Sequence, residues 1–301
     1  MADKRLGGRV ALVTGGGNGV GRSCALGLAA QGAAVVVNDL GTDEWAHGTT
    51  SEAADGTVAA IRAAGGEAVA NYDSVATSEG CGNAVQTGVE AFGKVDIVVG
   101  CAGALFEGTL NATNEEYHRF LSLFLSQKFW LARAVVPGMV ERGYGRIITT
   151  TSHGATGELG QPVFAGTMGA VIGLTRGIAH EYAGTGVTAN CLSPGAATRL
   201  HATTHDLFQE LHEQGVVDDD FWESYNKTPP PEYVAPIVAW LCSDAAADVT
   251  GQVFHAVGGM LGAWNKLGME RIIYSGDHAE YPPWTMEGLD AAVPSALLPD
   301  P

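Results

Sequence analysis

Short apolar runs and longer segments of helical period alternate along most of the chain. The β-rich runs at 9–14, 34–37, 67–72, 95–99, 146–151, 187–192 and 252–257 predict strands. Between them, helical periodicity predicts helices over 21–31, 52–64, 78–92, 113–142, 163–182 and 233–241. Most strand runs lack polar alternation, so both of their faces are buried. Strands of that kind separated by helices predict an α/β fold, a doubly wound parallel sheet of about seven strands. The polar, glycine-containing stretch 41–51 predicts a surface loop. Nothing marks a linker before about residue 275, which predicts a single domain over 1–275. Residues 276–301 are proline-rich, acidic and without period, and predict an irregular tail.

Composition narrows the class of partner. Hydrophobic residues make up 46% of the 301 and charged residues 16%, enough apolar material for a sizeable core. Thirty-three acidic against sixteen basic residues give a net charge of -17. Phosphate backbones and anionic membrane surfaces require basic patches, so no nucleic acid and no membrane partner is expected. The five cysteines, Cys24, Cys81, Cys101, Cys191 and Cys242, are scattered without metal-site spacing. They read as buried thiols of a reducing compartment. With no signal-peptide pattern in residues 1–8 and no apolar run of about 18 residues, a cytoplasmic location is expected.

Candidate chemistry begins where the first strand meets the first helix, at Thr14-Gly15-Gly16-Gly17-Asn18-Gly19-Val20-Gly21. Glycines there permit a tight turn and close approach of backbone to a pyrophosphate, which then faces the helix N-terminus. Asp39 ends the second strand, eighteen residues after Gly21. A carboxylate there bonds both ribose hydroxyls of an adenosine and repels a 2′-phosphate, favouring NAD over NADP. Asp73 follows the third strand, either to accept from an adenine amino group or as a strand-end turn residue. Cys101-Ala102-Gly103 follows the fourth and places backbone beside the cofactor. The arrangement is Rossmann-like.

The segments TGGGNGVG, VVVNDLG, GGEAVANYDSV, CAG and Ser193-Pro194-Gly195 together resemble the short-chain dehydrogenase/reductase family. Within it, VVVNDLG, EAVANYDSV and PEYVAPIVAWLC resemble the branch of D-3-hydroxyacyl-CoA dehydrogenase modules of type 2 multifunctional enzymes and their bacterial relatives. The resemblance covers residues 6–274. It implies NAD, held by Thr14, Gly15, Asn18, Gly19, Val20, Gly21, Asp39, Leu40, Asp73, Ser74, Cys101, Ala102, Gly103, Pro194, Gly195 and Ala197. It also implies a hydrophobic small-molecule or CoA-linked substrate, steroid-like or acyl, and a homodimer or homotetramer.

The family's chemistry rests on a serine that holds the substrate oxygen and a tyrosine that transfers the proton. A lysine four residues on bonds the nicotinamide ribose and lowers the tyrosine pKa. Here Phe164 stands at the tyrosine position and Met168 at the lysine position. Phe124 stands where most of the family has asparagine and the closer branch histidine. Ser152 remains, twelve residues before Phe164, with Thr151 as the alternative register. Phenylalanine has no proton to give, and losing a positioned general acid costs about 10²–10⁴ in rate. His153 beside Ser152 is either an acid or base near neutral pH or a solvated loop residue.

His118 and His180 read as helix-surface residues. His201, His205 and His212 fall on one helical stripe within 200–217, the segment that the resemblance makes a substrate lid. That stripe is the one place for a metal, although none is expected. Asp218-Asp219-Asp220 reads as a solvated turn. Phe208, Phe221, Trp222 and Tyr225 either line an apolar pocket near the lid or pack as core. Three readings stay open: an NAD-dependent oxidoreductase with an altered proton donor, a non-redox dehydratase, isomerase or lyase with His153 as base, and a silent subunit pairing with an active paralogue.

Overall fold

The apolar runs become strands because β-branched residues fill both faces of a central sheet, and the helices between them return the chain across it. The computed structural model describes residues 4–157, 161–265, 271–273 and 283–297. Its strands are β1 (Val10–Thr14), β2 (Ala34–Asn38), β3 (Ala68–Asn71), β4 (Ile97–Gly100), β5 (Gly145–Thr150), β6 (Val187–Gly195), β7 (Val253–Val257) and β8 (Met260–Ala263). They lie in the order β3-β2-β1-β4-β5-β6-β7-β8, the first seven parallel and β8 antiparallel to β7.

The helices of this sheet unit are α1 (Gly19–Ala30), α2 (Glu52–Ala63), α3 (Ser78–Phe92), α4 (Asn114–Leu121), α5 (Gln127–Glu141), α6 (Pro162–Glu181), α7 (Arg199–Thr203), α8 (His205–Glu213), α9 (Asp219–Asn226) and α10 (Ala235–Leu241). Alternate residues of one strand serve opposite layers. Ala11 and Val13 of β1 pack with Leu28, Ile61 and Leu241, on the side of α1, α2 and α10. Leu12 packs with Leu131, Val135 and Met139 of α5 on the other.

Four expectations are corrected. The sheet has eight strands: Gly258-Gly259 makes a two-residue hairpin, with Gly258 at φ +54° and Val257 paired with Met260. β6 runs past the expected strand end at 192 through Ser193-Pro194-Gly195, and its Pro194 pairs with Ala256. The helix expected over 113–142 carries a π-helical turn at Ser122–Ser126. Asp218 is an N-cap, its carboxylate accepting from the Phe221 N–H at 2.7 Å, so the acidic run opens α9.

The chain divides into a large unit, Met1–Trp264, and a small one, Asn265–Pro301. The boundary expected at 275/276, and residues 276–282 and 298–301 of the expected tail, lie outside the described residues. Within the small unit, the expectation of irregular chain is corrected by α11 (Met286–Ala292), capped by Thr285, and a π-helical turn at Val293–Leu297. Among the described residues α6 has the length and mean hydropathy, 1.2, of a membrane span by composition alone. Its Val171 and Ile172 are buried beside Cys191 and Val253 of the sheet.

One buried residue opposes the fold. Lys128 on α5 is 2% exposed, and its ammonium finds no hydrogen-bond partner among the described residues. Burial lowers its pKa from 10.5 to about 8. Between those values the unfolded chain binds more protons than the folded one, so stability rises with pH across that window. Lys128→Met is expected to stabilise the chain by about 2–3 kcal/mol at neutral pH and to abolish that rise. Urea melts at neutral and alkaline pH measure both.

Candidate functional site

β1 and β4 are neighbours, yet the chain leaves them toward opposite faces, α1 to one layer and α5 to the other. That divergence opens a cleft of about 820 Å³ at the carboxyl ends of the strands. Thr14, fully buried, ties its two sides together. Its hydroxyl donates to Gln127 Oε1 (3.1 Å) and accepts from the Ala102 N–H (3.2 Å). Gln127 Nε2 in turn donates to the Ala102 carbonyl at 2.9 Å.

The glycines at the β1–α1 junction are required by space. Gly15 has φ +64°, and a methyl group there would lie 2.8 Å from Ala102 Cα. A methyl on Gly21 would lie 2.1 Å from the Gly15 carbonyl oxygen. Asn18 begins α1 without a side-chain cap, leaving first-turn N–H groups for an anion. Asp39, 9% exposed, accepts from the Gly17 and Gly41 N–H groups, each at 2.8 Å. Those bonds fix its carboxylate at the cleft wall. Asp73 is held by Asn71 Nδ2 (2.7 Å) and Asn83 Nδ2 (3.0 Å), with Asn38 bridging to Asn71 Oδ1 and the Asp73 carbonyl. The turn, the uncapped helix and the fixed carboxylate fit the adenosine and pyrophosphate of a dinucleotide.

The other end of the cleft is aromatic. Phe124 lies on the π-helical turn and stacks on Phe120 at 4.5 Å between centroids. Phe164, in the first turn of α6, meets Phe120 and Phe124 edge-on at 6.0 and 6.4 Å. Its ring also lies against Gly154, where a methyl would come within 2.7 Å of it. Met168 is 2% exposed, and its carbonyl accepts from the Thr151 hydroxyl at 2.9 Å. Thr151 is thereby committed to the backbone of α6, which leaves Ser152 as the cleft serine. Ser152 Oγ accepts from the Gly154 N–H at 3.2 Å.

Of the residues expected at the site, the cleft is lined by Gly15, Asn18, Gly19, Val20, Gly21, Asp39, Leu40, Asp73, Ser74, Cys101, Ala102, Gly103 and Pro194. It is also lined by Phe124, Ser152, Phe164 and Met168. Thr14 lies beneath it. Three expectations are corrected. Gly195 packs on Val257 in the β6–β7 ladder, the Ala197 N–H is bound to the Pro229 carbonyl at 2.7 Å, and neither lines the cleft. His153 also stands outside it, its ring 5.9 Å from that of His255 and 6.1 Å from Trp264. The turn after Ser152 sends adjacent side chains to different sides. His255 accepts or donates at Ser193 Oγ, 3.1 Å away, and burial lowers its pKa.

The lid histidines do not converge on a metal. His201 bonds the Tyr225 carbonyl, His205 the Asn226 side chain, and His212 the Val217 carbonyl. Phe208, Phe221, Trp222 and Tyr225 pack on one another between α8 and α9 rather than lining the cleft.

Several cleft residues were not expected. Glu115, His118 and Arg119 of α4 and Ser122 of the π-helical turn line the cleft, at a spacing that the sequence displays, and the three α4 residues remain exposed, as expected for His118. The loop expected at 41–51 is a strap. Thr42 and Ala46 line the cleft, the Leu105 N–H donates to the Glu44 carbonyl (2.7 Å), and Arg199 donates to the Thr42 carbonyl (2.8 Å). No local pattern marks those long-range bonds. Cys101 at the cleft is hydrogen-bonded by buried Cys24, which with desolvation raises the Cys24 pKa.

A doubly wound sheet with a glycine turn and a serine after β5, both at one cleft, defines a Rossmann-like oxidoreductase scaffold. Residues 15–261 match the family described as enoyl-(acyl carrier protein) reductase. Over 242 residues the chain is 40% identical to a Mycobacterium tuberculosis protein of the short-chain dehydrogenase/reductase type, covering 80% of this chain and 79% of that one. It is 37% identical to mouse (Mus musculus) peroxisomal multifunctional enzyme type 2 over 89% of its own length and 34% of that protein's, so it spans about a third of that relative. A crystal structure of a short-chain dehydrogenase from Mycobacterium avium superposes with a TM-score of 0.78 at 32% identity, covering 97% of this chain and 95% of that one. The chain belongs to the short-chain dehydrogenase/reductase family, an oxidoreductase family whose members use NAD(P).

Arg199→Ala is expected to raise amide hydrogen exchange in the strap by about tenfold, because one of its tertiary bonds is removed. Unchanged exchange there would show that Arg199 does not hold it.

Proposed function

We propose that the chain binds NAD(H) and acts on a hydroxyl or keto group of a hydrophobic substrate, acyl-CoA or polycyclic, with a catalytic site that lacks tyrosine and lysine. The observation that carries this reading is the continuity of one cleft from Asp39 and the α1 N-terminus to Ser152, Phe164 and Met168. The family description, which names an acyl-carrier-protein substrate, supports an acyl thioester. When bound, the nicotinamide supplies hydride transfer. Asp39 receives the adenosine ribose and disfavours a 2′-phosphate. Ser152 holds the substrate oxygen. Phe164 offers no acid, so proton exchange falls to Ser152, water or the substrate itself. The five cysteines are free thiols, four of them buried, which supports a reducing compartment such as the cytoplasm.

Calorimetric titration tests the cofactor assignment. NADH is expected to bind at least about tenfold more tightly than NADPH, and Asp39→Ala to erase most of that preference. Binding of neither would overturn it. The double variant Phe164→Tyr with Met168→Lys is expected to raise the rate of NADH-dependent ketone or acyl-CoA reduction by about 10² or more, read as loss of NADH absorbance. No gain would mean that the aromatic end of the cleft has left carbonyl chemistry altogether.

A second reading, a silent subunit beside an active paralogue, is favoured by the aromatic packing at the proton-donor position. In either reading a second chain has a surface to meet. Gly166, Ala170, Gly173 and Gly177 form an outward stripe on α6, and Phe129 of α5 is 46% exposed. Small residues let a second helix approach closely. The native chain is expected to sediment as a dimer or tetramer and Gly173→Trp as smaller species. A monomeric native chain would remove this part of the proposal.

A further inference from the structure

One wall of the cleft at its aromatic end is made by Glu115, His118 and Arg119 of α4, which line it while remaining exposed to solvent, and by Ser122 at the start of the π-helical turn. Arg119 stands apart among them. Its guanidinium carbon lies 5.5 Å from the centroid of the Phe106 ring, and Phe106 meets Phe124 edge-on at 6.2 Å. A cation–π contact of that length draws on the guanidinium's charge and need not engage its N–H donors. Among the described residues the Arg119 guanidinium makes no hydrogen bond or close ion pair; the Glu116 carboxylate three residues back acts on it electrostatically but is itself bonded by the Thr113 N–H and hydroxyl. The acids of the nucleotide end, Asp39 and Asp73, have their oxygens engaged by backbone and asparagine N–H groups.

A guanidinium fork beside an apolar aromatic surface recognises a carboxylate or phosphate attached to an apolar body. In a chain of net charge -17, the surrounding field repels anions, so a cation held at the cleft acts by contact and not by general attraction. Resting on the proposal that this end of the cleft takes the substrate, we infer that the substrate carries a carboxylate or phosphate next to a flat apolar body. Arg119 is the receptor of that anion, and Phe106 and Phe124 are the surface on which the apolar body lies. Phe164 and Phe124, in place of polar groups, widen that surface at the reacting end.

The test is an equilibrium titration of the full chain, with and without NADH, using three probes on one ring system: 2-naphthoate, 2-naphthyl phosphate and the neutral methyl 2-naphthoate. At least one anion is expected to bind about tenfold more tightly than the ester. Preference for the acid or for the phosphate identifies which oxyanion the site prefers. Arg119→Gln is expected to abolish the preference while leaving ester and NADH affinities unchanged, and Arg119→Lys to retain part of it. Equal binding of ester and anions by the native chain overturns the inference. So does a parallel loss of all three probes in Arg119→Gln, or no binding of any probe at millimolar concentration. An Arg119-dependent preference in a chain that binds no NADH would leave this inference standing and sink the nucleotide assignment alone.

Discussion

The separation of α1 and α5 at the β1–β4 junction is the constraint on which the rest of the molecule depends. Adjacent parallel strands whose following helices lie on opposite faces leave a gap that backbone alone cannot fill. Thr14, Gln127 and Ala102 close its floor with three hydrogen bonds, and Gly15 and Gly21 permit the contact distances that result. Each later feature is hung on that gap. Asp39 is fixed from the Gly17 amide, the strap crosses it to Leu105 and Arg199, and the π-helical turn sets Phe124 against Gly103.

The end of the cleft at Phe164 and Met168 is a packing unit. Phe164 fills space against Gly154, Phe120 and Phe124, and Met168 is buried with its carbonyl tied to Thr151. A lysine at Met168 without a tyrosine partner would be a buried charge, which is costly when unpaired. Lys128 shows the same cost elsewhere in the chain, where burial alone lowers the amine's pKa to about 8. The two ends of the cleft therefore differ in character. The end at the β1–α1 turn is built from backbone donors and fixed carboxylates, and the other end from aromatic faces with Arg119 beside them.

The architecture was legible because each element announces itself locally. Apolar runs at β1, β2 and β4, and the glycine turn with Asp39, carry period and spacing within a few dozen residues. The hairpin at Gly258-Gly259 went unread, because β8 beyond it is too short and exposed to show as a core strand. The fate of neighbouring side chains was not legible. Ser152 and His153 adjoin in the chain, and the turn that follows places one in the cleft and the other against His255 and Trp264.

The sequence by itself determined the alternation of strands and helices, the glycine turn after β1, the acid that follows β2, and the phenylalanine and methionine at positions 164 and 168. These follow from residue identity at short spacing. Tertiary structure alone decided that the Thr151 hydroxyl is bonded to the Met168 carbonyl, that Arg119 of α4 lies beside Phe106 at the cleft, and that the 41–51 loop is tied to Leu105 and Arg199. Each of those outcomes depends on contacts between segments dozens of residues apart. Such contacts leave no period in the chain, because their geometry is set by how the layers pack and not by the local run of residues.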